Sequence, residues 1–218
     1  MPLDLYPVRA RARAGFTLIE LLTVISIIGI LAALTLGVAK GVRERAAVQQ
    51  AGAEMSVISQ ALESYKRIYG DYPRTLEPGW SGLSSNETKL LQSLIGNYGP
   101  KGDAMTGKVL LETSKFSISQ NPTTNEPYDP ADSANKDKAT LVDPWGNPYY
   151  YFYGRTSSGN TWAAPGFVLY SAGPDGYSTG ESKTTTLGTG ATSLITPQGL
   201  INKTATEAEG AIDNIYSN

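Results

Sequence analysis

From Phe16 to Ala39 the chain carries one charged side chain, Glu20, and no proline. This stretch constrains the fold more than any other. As a helix it would be roughly 36 Å long at about 1.5 Å per residue, enough to cross a bilayer core of about 30 Å. Arg9, Arg11 and Arg13 precede it, opposed only by Asp4, and Lys40, Arg43 and Arg45 follow it, mixed with Glu44. The basic leader favours an N-inside, C-outside orientation. Glu20 is the anomaly. An ionised carboxylate near the bilayer centre costs something like 2.5–3.5 kcal/mol on insertion scales, and such groups usually have a partner.

Three readings of this stretch compete. A plain membrane anchor accounts for the hydrophobicity alone. A secretory signal is the second, with Gly37 to Ala39 as a small-residue cleavage site, although the apolar stretch exceeds the usual range of about 7–15 residues and carries an acid. The third rests on likeness. "GFTLIELLTVISIIGILAAL" (15–34) resembles the leader junction of type IV pilins and of the pseudopilins of type II secretion. That resemblance implies a cut after Gly15 by a prepilin peptidase, N-methylation of the new terminus at Phe16, and an assembly role for Glu20. The new α-amine lies four residues from Glu20, on the same chain or, as the resemblance implies, on a neighbouring subunit. Register is the physical logic: an apolar helix can slide along its neighbours, whereas a buried charge pair satisfied at one offset penalises the others. One departure is Gly37, where many relatives have proline. Glycine weakens a helix by about 1 kcal/mol against proline's roughly 3, so softening replaces an obligatory kink.

Beyond the apolar run the pattern becomes amphipathic. Val48, Ala51, Met55, Ile58, Leu62, Tyr65 and Tyr69 recur in steps of three and four, while Arg43, Glu44, Glu54, Glu63, Lys66 and Arg67 take other positions. The spacing predicts one helix from Phe16 to Tyr69, stopped by Gly70, with an ordinary packing stripe on one face. The Tyr-Pro at Tyr72 and Pro73 matches the same family. Four segments follow: a removable leader (1–15), a transmembrane or filament-core helix (16–39), its amphipathic continuation (40–70) and a loop-rich head (71–218).

Within the head, residues 74–140 are rich in loops and proline. Ser84 and Glu87 have capping-box spacing, Leu90, Leu91, Leu94 and Ile95 supply an apolar face, and Gly96 a terminator, so one short helix is expected. The runs at 139–154 and 166–176 are β-prone and predict an antiparallel pair packed on the spine helix. "DPWGNPYYY" (143–151) resembles a segment of the major pseudopilins. Its residues Asp143, Trp145 and Gly146 read as a structural turn, with Trp145 filling the core. The fold class is therefore α+β, and the resemblance implies the pilin fold.

"SAGPDG" (171–176) reads from its residues as a turn. In major pseudopilins the equivalent stretch opens a loop around calcium, with further oxygens from an acidic C-terminal segment. The resemblance assigns the ligands to Asp175, Asp213 and Asn214, the last standing where a second acid is common. Calcium takes six to eight oxygens, many from carbonyls and water, so two carboxylates suffice in a cooperative loop. The ion would pin the tail as a disulfide does elsewhere, in a chain with no cysteine. The intervening residues 182–206 are threonine-rich and polar.

The chain has no histidine and no cysteine, which excludes thiol and imidazole catalysis and Cys/His zinc sites. A net charge of −2 gives no field that would gather nucleic acid. Asp129, Asp132 and Asp137 lie in a polar, proline-bearing loop, and no catalytic motif is present. The expected protein is not an enzyme. It is a structural subunit of a homo-oligomeric secretion filament, single-pass in the inner membrane with its head outside. The peptidase, an inner-membrane assembly platform and minor pseudopilins are its expected partners. A type IV pilin of a surface pilus, serving adhesion, motility or DNA uptake, is the alternative.

Overall fold

The computed structural model describes residues 16–83, 85–121, 126–127, 137–154, 161–176 and 215–216, the side chains of 34–40, 121, 126–127 and 215–216 excepted. Helix α1 (Leu18–Tyr69) is continuous over 52 residues. It begins two residues later than the apolar pattern predicts. It stops where expected: Gly70 takes a left-handed φ of +87° and its N–H caps the carbonyl of Lys66 at 2.8 Å. The chain divides into two compact units, Met1–Arg43 and Glu44–Asn218.

In the first unit Phe16 and the described side chains of α1 are exposed, the large apolar ones from 83% at Leu18 to 47% at Val24. Thr23 and Ser26 turn their hydroxyls onto the carbonyls of Glu20 and Leu22, at 2.9 and 2.8 Å. Satisfied on their own backbone, they add little polarity to the helix surface. Among the described residues no helix is long and apolar enough to cross a membrane. The described apolar side chains run from Leu18 to Ala33, short of the roughly 20 residues a bilayer asks for.

In the second unit α1 forms the spine. Ala51, Met55, Ile58, Leu62 and Tyr65 are buried, all 1% exposed or less. Val48 departs from the expected stripe: it sits at the margin, 36% exposed. Tyr69, at the other end, is partly buried. Helix α2 (Asn86–Leu94) packs Leu90, Leu91 and Leu94 into the same core. Its N-cap is Ser85, not Ser84, which lies outside the described residues. Ser85 Oγ accepts from the Thr88 N–H at 3.1 Å, so the cap pairs with Thr88 and leaves Glu87 one position early for a capping box. At its far end Gly96 (φ +88°) turns the chain.

The β structure exceeds the single sheet expected at about 139–176. Two three-stranded antiparallel sheets are present, ordered β2–β1–β3 and β4–β5–β6. The first joins β1 (Ser117–Asn121), β2 (Glu126–Pro127) and β3 (Thr140–Val142), so part of the loop-heavy region is strand. The second joins β4 (Tyr150–Phe152), β5 (Val168–Ser171) and β6 (Ile215–Tyr216). The β4–β5 pairing matches the expected pair, with Tyr151 opposite Leu169. The C-terminal segment adds a strand that was not foreseen, Ile215 pairing with Ser171.

Pleating explains the five consecutive aromatics. Alternate residues point to opposite faces, so Tyr149 and Tyr151 enter the main core against α1, while Tyr150 and Phe152 form a second cluster with Tyr170. The first set is anchored by hydroxyls. Tyr149 donates to Glu54 at 2.6 Å, Tyr151 to the Pro73 carbonyl at 3.0 Å and Tyr153 to Asp71 at 2.9 Å. Spine tyrosines reciprocate: Tyr65 donates to the Tyr98 carbonyl at 2.7 Å, and the Tyr69 hydroxyl accepts from the Lys108 N–H at 3.0 Å. Burial and the neighbouring Asp71 carboxylate push the Tyr153 phenol up to about 12, so its hydroxyl remains a donor at ordinary pH.

Candidate functional site

At the N-terminal end the structure closes a reciprocal pair. Glu20 Oε2 accepts from both the backbone N–H and the hydroxyl of Thr17, each at 2.8 Å, and the Glu20 N–H reaches Thr17 Oγ1 at 3.3 Å. Thr17 and Glu20 thus form a capping box, which satisfies helix-terminal donors that no earlier turn can serve. Negative charge in the first turn also complements the helix dipole. The acid that the apolar run could not explain therefore has a local role in the single chain. Among the described residues it has no cationic partner. Thr17 was missed from sequence, although the Thr-x-x-Glu spacing was there to be read. Gly15 lies outside the described residues, and Phe16 stands exposed just before α1.

The second constellation joins the two sheets. Asp143 follows β3 and is 2% exposed. Its Oδ1 accepts from the N–H groups of Trp145 (3.0 Å) and Asn147 (2.8 Å), and its Oδ2 accepts the Ser171 hydroxyl at 2.5 Å. The Asp143 carbonyl accepts from Gly146 at 2.9 Å, and Gly146 adopts φ +90°, a conformation that suits glycine. Asp-Pro-Trp-Gly is thus a turn held from within by its first side chain. Burial pushes the Asp143 carboxyl above the usual carboxylate range, and the donors from Ser171 and the backbone recover only part of that cost.

Trp145 does not fill the core. It sits in the middle of the turn, where the chain reverses away from the β3 ladder, and its side chain is only partly buried. The Asn-Pro that follows has more structural consequence than the tryptophan. Asn147 Nδ2 donates to the Gly173 carbonyl at 2.8 Å, and the Gly173 N–H reaches Ser171 Oγ at 3.1 Å. A side-chain carbon at Gly176 (φ +71°) would meet Asn147 Oδ1 at 2.6 Å. The 143–147 and 171–176 turns are therefore locked together. Asn147 and Ser171 were not singled out from sequence, because their partners are more than twenty residues away.

Of the expected metal ligands, Asp175 is described and exposed, within the 173–176 turn. Asp213 and Asn214 lie outside the described residues. Among the described residues no group of three or more acids is placed to hold a metal.

The prokaryotic N-terminal methylation motif matches residues 10–36, which span the capping box. Type II secretion system core protein G of Pseudomonas aeruginosa is 31% identical over 182 residues, covering 82% of this chain and 95% of that protein. The protein of that name from Escherichia coli is 30% identical over 74% of this chain and 82% of its own length, and that of Vibrio cholerae 29% over 79% and 88%. No solved structure matches. With this similarity running from the methylation motif through nearly the whole length of its relatives, the chain belongs to the family of type II secretion system core protein G.

Proposed function

We propose that this protein is the major structural pseudopilin of a type II secretion filament and has no catalytic activity. The observation that carries the reading is the first unit. Its helix holds large aliphatic side chains that the chain itself leaves exposed, behind a matched methylation motif. Such a surface needs lipid before assembly and other helices afterwards. A prepilin peptidase cuts after Gly15, Phe16 becomes the methylated terminus, and the helix holds the subunit in the inner membrane with its head outside. An assembly platform then transfers it into a homo-oligomeric filament capped by minor pseudopilins.

Glu20 changes partner in this scheme. In the single chain Thr17 satisfies it through neutral donors. In the filament the Phe16 amine of a neighbouring copy supplies a full counter-charge, a stronger interaction in a medium of low dielectric. Glu20→Ala should leave insertion and cleavage intact and abolish the cross-linked ladders of assembled subunits. Normal ladders from this variant, or a native N-terminus that retains the arginine-bearing leader by mass spectrometry, would refute the assignment.

Calcium is the second element of the proposal. Ile215 pairs with Ser171, and Asn214 and Asp213 precede Ile215 in the sequence by one and two residues, next to a strand that runs beside the entry to the 173–176 turn. The donors offered there, the Asp175 carboxylate among them, are hard oxygens suited to calcium. When bound, the ion would tie the C-terminal segment to two turns that Asp143, Asn147 and Ser171 already hold rigid.

A further inference from the structure

Two surfaces of the second unit have no role in the single chain. The first is the outward face of α1. Ala53, Val57, Gln60, Ser64 and Ile68 recur there in steps of three and four, turned away from the buried stripe, and none of them is charged. A solvent-facing helix surface ordinarily carries charge. This one instead leaves Val57 46% and Ile68 50% exposed, about three turns apart on the same face. The second surface is a pocket of about 280 Å³ between α2, the 109–113 segment and the first sheet. Leu91, Ile95, Val109, Ile118 and Ala139 line it together with two neutral polar residues, and Val109 is 61% exposed. Apart from Val48 at the margin of the stripe, every large aliphatic side chain described as exposed in the second unit lies on one of these two surfaces.

The charges beside them are complementary. Lys108, next to Val109, is exposed and meets no carboxylate among the described residues. Glu54, one turn before Val57, is met by the neutral donors Tyr149 and Gln50 and, among the described residues, by no cation. The pocket volume suits one or two aliphatic side chains and is small for a free ligand. We propose that the outward face of α1 docks on this pocket of a second copy of the chain. Val57 seats against Val109, Ile68 extends the contact along the helix, and Glu54 approaches Lys108. The two surfaces differ, so each copy takes one neighbour by its pocket and another by its helix, and addition need not close. The pocket by itself is too small to hold two proteins together. The inference therefore rests on the filament reading and names where neighbouring heads touch within it.

The test uses two full-length copies with different tags, expressed together in membranes. The chain has no cysteine, so no native thiol competes. One copy carries Val57→Cys and the other Val109→Cys. Oxidation should give a disulfide-linked species bearing both tags, which a bond within one chain cannot produce. Adding Ile68→Asp to the first copy should abolish that species. Lys108→Glu in the second copy should lower its yield several-fold, and Lys108→Arg should leave it unchanged. Ladders of chemically cross-linked wild type without any two-tag species would overturn the inference and leave the filament reading standing. Absence of both would overturn the two together. Equal linkage between two Val57→Cys copies would make the contact helix to helix and remove the pocket as its partner.

Discussion

Asp143 is the point at which a single substitution should separate the two halves of the β structure. Removing its carboxylate in Asp143→Ala strands the Ser171 hydroxyl, whose residue is fully buried, and two turn N–H groups that are partly covered. A stranded buried donor costs about 1–3 kcal/mol, and each less buried bond contributes about 0.5–1.5 kcal/mol. Against this, the substitution relieves the desolvation that raises the Asp143 pKa. A net loss of about 2–4 kcal/mol follows, a large share of the roughly 5–15 kcal/mol typical of a domain. Asp143→Asn keeps an oxygen for both N–H groups and can donate to Ser171 Oγ, leaving only the Ser171 proton without its acceptor, so it should cost less than the alanine variant, about 1–2 kcal/mol.

The two variants also differ in pH dependence. Because the folded pKa of Asp143 lies above its unfolded value, the native state binds more protons in the window between them. The contribution is fully present below the unfolded pKa and is lost as pH rises through the folded one. Asp143→Asn removes that slope. Guanidinium unfolding in detergent micelles, followed by tryptophan fluorescence from pH 3 upward, reads both effects. Equal destabilisation by Ala and Asn, or an unchanged pH slope in Asn, would refute the assignment of Asp143 as a buried, proton-linked tie.

Three further outcomes are expected. Tyr149→Phe and Glu54→Gln should each destabilise by about 1–2 kcal/mol, and a double-mutant cycle should show them coupled, since they share one 2.6 Å hydrogen bond. Additive effects would count against that bond. Gly96→Ala should cost about 1–3 kcal/mol by thermal melting, from a left-handed φ and a new side-chain carbon 2.8 Å from the Gly107 backbone. Saturating calcium should raise the melting temperature of the wild type and leave Asp175→Ala/Asp213→Ala unmoved, and equal shifts in both would remove the ion from that site.

Much of α1 was legible because its signals are local and mutually consistent: no internal proline, a recurring apolar stripe and a terminal glycine. The β4–β5 pair was legible from its aromatic run. Other features depended on context. The β1 strand reads Ser-Ile-Ser-Gln-Asn, too polar to stand out alone, and it is strand because β3 pairs along it. Ser84 and Ser85 are adjacent and chemically alike, so spacing to Glu87 favoured the wrong one, while the N–H of Thr88 selects the other. Trp145 looked like core because tryptophans usually are, but its place in the middle of the turn leaves it only partly buried. Asn147 and Ser171 act across the sheet boundary, at separations no local pattern encodes.

The tyrosine contacts have a mechanical consequence. Glu54, Tyr65 and Tyr69 bond to the head at points spread over about 22 Å of helix. A rigid rod displaced along its length strains every one of these attachments by the same amount. Axial thrust on the spine is therefore shared among them and the packed stripe beneath, and the head travels with the shaft instead of peeling away from one end.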